Sequence, residues 1–156
     1  MIEIEISKKE SLHISHLVLD YNGTIACDGV LIEGVDRLIR KLSESLEIHV
    51  LTADTQGSVC AQVGHLPCIV HTIPEGSEDL SKNEYIHTLG SSKTACIGNG
   101  RNDRLTLRDA AIGIAVIGKE GASRDALEGA DIIVTSIIDA LELFLCPLRL
   151  KATVRV

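Results

Sequence analysis

The sequence predicts an α/β protein built around a mostly parallel, doubly wound sheet. Short apolar runs alternate with segments of helical period along the chain, the pattern of repeated strand-helix units. The run from His16 to Leu19 is apolar on both faces, as a strand covered on both sides must be. Polar turns follow the runs that end at Asp20, Thr52 and Gly98, which places their side chains at the carboxyl edge of the sheet, where ligands bind in such folds. A chain of 156 residues suits one domain, 1–156. Hydrophobic residues make up 45% but aromatics only 2%, so the core is built from Leu, Ile, Val and Ala.

Taken in order, Ile2, Ile4 and Ile6 alternate with Glu3 and Glu5, the period of a half-buried strand. Lys8, Lys9 and Glu10 form a polar turn, and Leu12 and Ile14 return, so the opening predicts a hairpin that pairs the amino terminus with the sheet. The central strand follows and delivers Asp20 to its carboxyl end. Ile25-Ala26 and Val30-Leu31 flank Cys27-Asp28-Gly29, a hairpin signal for a small flap over Asp20. Val35, Leu38, Ile39 and Leu42 repeat at helical spacing within 34–45, with Arg37, Arg40 and Lys41 outward. Ile48 to Leu51 is a second buried strand, and Thr55 is placed to cap a helix running to about Gly64.

A short strand is expected over Cys68 to Val70, a loop over Ile73 to Ser81, and a helix over Lys82 to Leu89. Thr94 to Ile97 is a strand that runs into Gly98-Asn99-Gly100-Arg101-Asn102-Asp103. A helix over 103–111, a strand over 112–116, a short helix near 123–128, a strand over 132–134 and a helix over 136–145 complete the alternation. The tail from Arg149 to Val156 alternates basic and apolar residues, which suits docking on the sheet, a subunit contact or fraying.

The net charge of -7 and the lack of a basic stripe argue against a nucleic-acid partner. No run is apolar enough for a membrane span, and Met-Ile-Glu-Ile-Glu-Ile carries acids where a signal peptide carries bases, so a cytoplasmic location is expected. The cysteines, at 27, 60, 68, 96 and 146, are scattered and lie mostly in apolar segments, as buried thiols do. Cys27, in the flap beside the site, has no histidine in a partner position. The histidines, at 13, 16, 49, 65, 71 and 87, show no paired ligand spacing and read as surface or strand residues.

The polar turns bring together Asp20 with Asn22 and Thr24, Thr52 with Asp54, and Asn99 with Asn102 and Asp103, while Lys82 opens a helix that can aim its ammonium at the same edge. An oxygen-lined pocket with a cation beside it suits Mg²⁺ and phosphate. Magnesium takes hard oxygen ligands and keeps several waters, and phosphoryl transfer needs mainly positioning and charge neutralisation.

The ordered set Asp20-Tyr21-Asn22-Gly23-Thr24, Thr52, Lys82 and Gly98 to Asp103 resembles the four motifs of the haloacid dehalogenase (HAD) superfamily, and within it the phosphorylation domain of P-type ATPases most closely. Leu51-Thr52-Ala53-Asp54 is similar to the Leu-Thr-Gly-Asp of those ATPases, and the likeness runs from about His16 to Leu145. The resemblance implies a three-layer Rossmann-like fold and a phosphatase in which Asp20 becomes an aspartyl phosphate. It assigns catalysis to Asp20, Asn22, Thr52 and Lys82. It sets Gly23, Thr24, Thr52, Ala53, Lys82 and Asn102 around phosphate, and Asp20, Asn22, Asn99 and Asp103 around Mg²⁺. By the ATPase likeness, Asp54 orients Lys82.

Two departures qualify what the resemblance implies. Asn22 stands where family phosphatases carry the Asp that protonates the leaving oxygen and then activates water, and an amide does neither. Asn99 stands in a turn where they carry Gly-Asp-Gly. Slow dephosphorylation follows, or a phosphate- and metal-binding module that has lost turnover. The stretches between Asp20, Thr52 and Lys82 are filled by the flap, a helix and two strands, leaving no room for a cap domain. A capless pocket admits a small phosphorylated molecule or a phosphorylated macromolecule, and a homo-oligomer is expected, with a neighbouring subunit bordering the pocket.

Overall fold

The computed structural model describes residues 1–7, 10–54 and 57–154. Among them, six strands form one parallel sheet: β3 (His16–Asp20), β6 (Glu47–Thr52), β7 (Ile69–Thr72), β8 (Thr94–Gly98), β9 (Ile112–Val116) and β10 (Ile132–Val134), in the order β10-β9-β8-β3-β6-β7. The strand that carries Asp20 therefore lies between β6 and β8, flanked by the two other strands whose ends were expected to build the pocket. Its register pairs Asp20 with Leu51 and Leu19 with Ile97, so the three carboxyl ends lie side by side.

Alternate residues of these strands feed two cores. Leu17, Leu19, Ile48, Val50, Ala95 and Ile97 pack on one face with α1 (Val35–Leu42), α2 (Ser58–Val63) and α6 (Ile137–Leu145). Val18, Leu51, Cys96 and Ala115 face the other side, against α3 (Glu78–Leu89), α4 (Arg104–Asp109) and α5 (Arg124–Gly129). The result, among the described residues, is a three-layer α/β/α sandwich. Helix α1 shows how the pattern works: Val35, Leu38, Ile39 and Leu42 are buried at the predicted spacing, Asp36 lies in the positive first turn, and Arg40 and Lys41 in the negative last one.

Several boundaries differ from the sequence reading. The opening hairpin, β1 (Ile2–Ser7) with β2 (Glu10–Ile14), forms its own two-stranded sheet instead of joining the large one. The turn expected at Lys8 and Lys9 lies outside the described residues, as does the Thr55 cap. Strand β7 sits slightly later than expected. The tail docks: α7 (Pro147–Val154) packs against β1, with Leu150 buried and Lys151 ion-paired to Glu5 at 2.7 Å. Helix α3 begins at Glu78, so Lys82 lies in its second turn, not at its start. Glu78 and Asp79 occupy the first turn, where acids complement the helix dipole. No helix among the described residues is long and apolar enough to cross a membrane.

Candidate functional site

Asp20 ends β3, and the chain must turn at once to leave the sheet. Gly23 makes that turn at φ 77°, a conformation other L residues adopt at a cost. A side chain there would also meet the Asn99 amide at 2.4 Å, so glycine is what lets the turn after β3 touch the turn after β8. The same turn places the buried Thr24 hydroxyl 3.1 Å from Asp20 Oδ2 and 3.1 Å from Asn99 Oδ1. One hydroxyl proton serves one of these acceptors at a time.

Lys82 reaches in from α3 and is buried. Its Nζ donates to Asp20 Oδ1 at 2.6 Å and to Asp103 Oδ1 at 2.7 Å. Asp103 Oδ2 in turn accepts the backbone N–H groups of Asn99 and Gly100, at 3.1 and 2.9 Å, which closes the turn after β8. Asp103 is thus committed to Lys82 and to its own loop, and any part it takes in metal binding shares its oxygens with those bonds. Asp54, which the ATPase likeness put beside Lys82, caps α2 instead: its Oδ2 accepts from Ser58 Oγ and Val59 N at 2.8 Å. The carboxylate that joins Asp20 in holding Lys82 is Asp103.

Two carboxylates against one ammonium leave this buried cluster with a net negative charge. Burial and the adjacent Asp103 push the Asp20 carboxyl up from 3.8 to about 7, against the pull of Lys82 and Thr24 in the other direction. Burial works against the charge on Lys82, but Asp20 and Asp103 outweigh it and hold the ammonium above the ordinary lysine value. The donors at this edge are hard oxygens, Asp20 and the Asn99 amide, in a field that lacks one positive charge. Such a set fits a cation of the Mg²⁺ type.

The other expected residues take distinct places. Thr52 is buried at the end of β6, and its Oγ1 accepts the Asp54 N–H at 3.1 Å, which leaves the hydroxyl proton to be donated. Ala53 follows it at the same edge. Asn22, two residues after Asp20, is exposed. Asn102 lies a step out, with its amide donating to Glu78 Oε2 at 2.6 Å. Asn99 Nδ2 donates to the Gly121 carbonyl at 3.0 Å, a partner no local spacing reveals.

The flap is β4 (Ala26–Cys27) with β5 (Val30–Leu31), joined through Asp28 and Gly29, both at positive φ as a tight hairpin turn demands. Tyr21 Oη and Gln62 Nε2 both donate to the Gly29 carbonyl, at 3.0 and 2.6 Å, and Glu120 Oε1 accepts the Asp28 N–H at 2.7 Å. Between the flap and the loop after β9 lies a cleft of about 510 Å³. It adjoins Gly23 and Thr24, and Leu31, Val116 and Ile137 supply apolar wall.

No protein-family model matches the chain. Two uncharacterized proteins of Methanocaldococcus jannaschii are similar in sequence. One is 45% identical over 84 residues, 51% of this chain and 90% of the relative; the other is 51% identical over 39 residues, 25% of this chain and 89% of the relative. Among solved structures, the 3-deoxy-D-manno-octulosonate 8-phosphate phosphatase of Moraxella catarrhalis, in complex with magnesium, phosphate and KDO, matches with a TM-score of 0.72 at 18% identity, over 87% of this chain and 88% of that one. The cobalt-bound enzyme of Haemophilus influenzae matches with a TM-score of 0.72 at 12% identity, over 87% and 90%. A phosphatase of the HAD superfamily from Bacteroides thetaiotaomicron gives 0.65 at 12% identity, over 90% and 96%. The fold is the one these phosphatases share.

Proposed function

We propose that this chain, which belongs to the family of the two Methanocaldococcus proteins and has the fold of HAD-superfamily phosphatases, is a divalent-cation-dependent phosphatase acting on a phosphomonoester. The observation that carries the reading is the grip of Lys82 on Asp20 Oδ1 at the carboxyl end of the central strand. It fixes one oxygen of a carboxylate and steadies negative charge beside it, as a nucleophile toward phosphorus requires. Asp20, the Asn22 backbone carbonyl and Asn99 Oδ1 would hold Mg²⁺, with Asp103 in support. Bound there, the cation supplies the missing positive charge and neutralises phosphate oxygens.

In the first step the Asp20 carboxylate attacks phosphorus and the bond to the ester oxygen breaks, leaving an aspartyl phosphate and an alcohol that takes its proton from solvent. In the second, water attacks the same phosphorus, the Asp20–phosphorus bond breaks, and inorganic phosphate and free Asp20 return. Thr52 donates its hydroxyl proton toward the phosphoryl oxygens, Thr24 steadies Asp20 and Asn99, and the Gly23 and Ala53 backbone lines the same edge. The organic part of the ester enters the cleft beside the flap. A second copy of the chain bordering this open cleft would complete its wall.

One observation favours a second reading. Asn22, exposed two residues after Asp20, stands where the HAD resemblance expects the acid of both steps, so the chain can retain the pocket as a phosphate- and metal-binding regulator without turnover. Phosphate release from a panel of phosphorylated metabolites with Mg²⁺, in the wild type and in Asp20→Asn, separates the two. The phosphatase reading predicts release by the wild type alone. Binding of inorganic phosphate without release from any ester favours the regulator.

A further inference from the structure

The amino-terminal edge of the sheet carries a second cluster that the phosphate site does not use. His16 opens β3 and Glu47 opens β6, and the parallel register sets them side by side. His49 lies two residues along β6 and so faces the same side as Glu47. Their polar atoms converge. His16 Nδ1 is 3.2 Å from His49 Nε2, and Glu47 Oε1 is 3.1 Å from His49 Nε2 and 3.5 Å from His16 Nδ1. A tetrahedral ion with nitrogen and oxygen ligands at about 2.0–2.1 Å keeps those ligands about 3.3–3.4 Å apart. The three atoms already stand at the corners of one face of such a tetrahedron.

The surroundings suit ligation. His49 is buried, and its Nδ1 lies 2.9 Å from Tyr85 Oη on α3. With the proton on Nδ1 donated to the phenol, the Nε2 lone pair faces the cluster, the orientation that outer partners impose on ligating histidines. His71 stacks on Tyr85 with ring centroids 4.4 Å apart, which steadies the phenol. Glu47 is 54% exposed, so an ion has a path in and water can take the fourth position.

We propose that His16, Glu47 and His49 form a site for Zn²⁺ or a similar divalent transition ion, separate from the phosphate pocket. Two imidazoles and a carboxylate select such an ion over magnesium, which takes oxygen ligands. Four residues of β3 separate His16 from Asp20, about 13 Å at strand rise. An ion held there ties β3 to β6 and, through Tyr85, steadies the helix that also carries Lys82.

The test is titration of the metal-depleted full chain with Zn²⁺, under reducing conditions and against a competing chelator, with histidine side-chain ¹⁵N spectra recorded alongside. The wild type takes up zinc with shifts at His16 Nδ1 and His49 Nε2. Glu47→Gln and His16→Ala, at partly exposed positions, each weaken binding at least 10-fold. Tyr85→Phe weakens it within the 10- to 100-fold range typical of outer partners, and Asp20→Asn leaves it unchanged. Equal zinc affinity in the wild type, His16→Ala and Glu47→Gln overturns the proposal, as does zinc uptake without shifts at these two rings, or no uptake. In each case the three residues are a proton-sharing network. The wild-type spectra decide the point even if a variant does not fold.

Discussion

Lys82 places its ammonium 2.6 Å from Asp20 Oδ1 across a sequence separation of 62 residues, the end of one strand held by the second turn of a helix packed on one face of the sheet. Asp20, which is partly exposed, and the buried Asp103 and Lys82 depend on one another there. Removing the single cation leaves two carboxylates desolvated and adjacent.

Lys82→Met should therefore destabilise the protein by about 3–5 kcal/mol at pH 7, the cost of stripping one partner from a buried ion pair. The loss should shrink at pH 5, where the Asp20 carboxyl, raised to about 7, carries a proton. Urea unfolding at both pH values measures this. A variant as stable as the wild type at pH 7 would show that the carboxylates do not need the ammonium.

The pH dependence of the metal-free protein follows from Asp20. Its folded value of about 7 lies above the ordinary 3.8, so between those values the native state holds a proton that the unfolded chain has released. Stability from this group is present in full below about pH 4 and falls as pH rises through 7. Asp20→Asn should flatten that slope and be more stable than the wild type above pH 7, and saturating Mg²⁺ should flatten it in the wild type. Thermal melts from pH 4 to 8 give the comparison, and identical slopes with and without the Asp20 carboxyl would refute it.

Much of this site is legible in the sequence because it is written at strand ends. An apolar run that stops at Asp20, Thr52 or Gly98 declares both the strand and its functional edge, and a parallel sheet brings such ends together. The helix carrying Lys82 is harder to read. Its first turn is acidic and polar after a Pro-Glu-Gly-Ser stretch, and among its residues only Lys82 and Ile86 are buried, so no apolar period marks where it starts. Asp54 illustrates a second limit. A carboxylate after Thr52 serves equally as a helix cap or a lysine partner, and here it takes the Val59 N–H of α2. His16 and His49 lie 33 residues apart, so only the β3–β6 register makes them neighbours.

Asn22 sets the expected rate profile. Nothing at that position activates water, so the second half-reaction should limit turnover. Asn22→Asp should speed phosphate release by about 10²-fold or more, within the range of general acid-base catalysis. Single-turnover release at saturating Mg²⁺ checks this, since an added carboxylate beside Asp20 also changes metal affinity. No acceleration would mean that Asn22 does not stand in for a catalytic acid.

Assembly should matter as well. The flap tip exposes Val30 at the wall of the cleft. Light scattering is expected to find a homo-oligomer. A monomer that hydrolyses a small ester at full rate would contradict this.

The most direct test of the account is chemical trapping at Asp20. The wild type is mixed with Mg²⁺ and an aryl phosphate, quenched in acid, and its peptides are mapped by mass spectrometry, in parallel with Asp20→Asn. The account predicts a phosphoryl group on the peptide containing Asp20, none in the variant, and a fall in phosphate release of about 10³-fold or more, the scale on which loss of a nucleophile acts. Unchanged phosphate release by Asp20→Asn, or a phosphoryl group on any other residue, would contradict it.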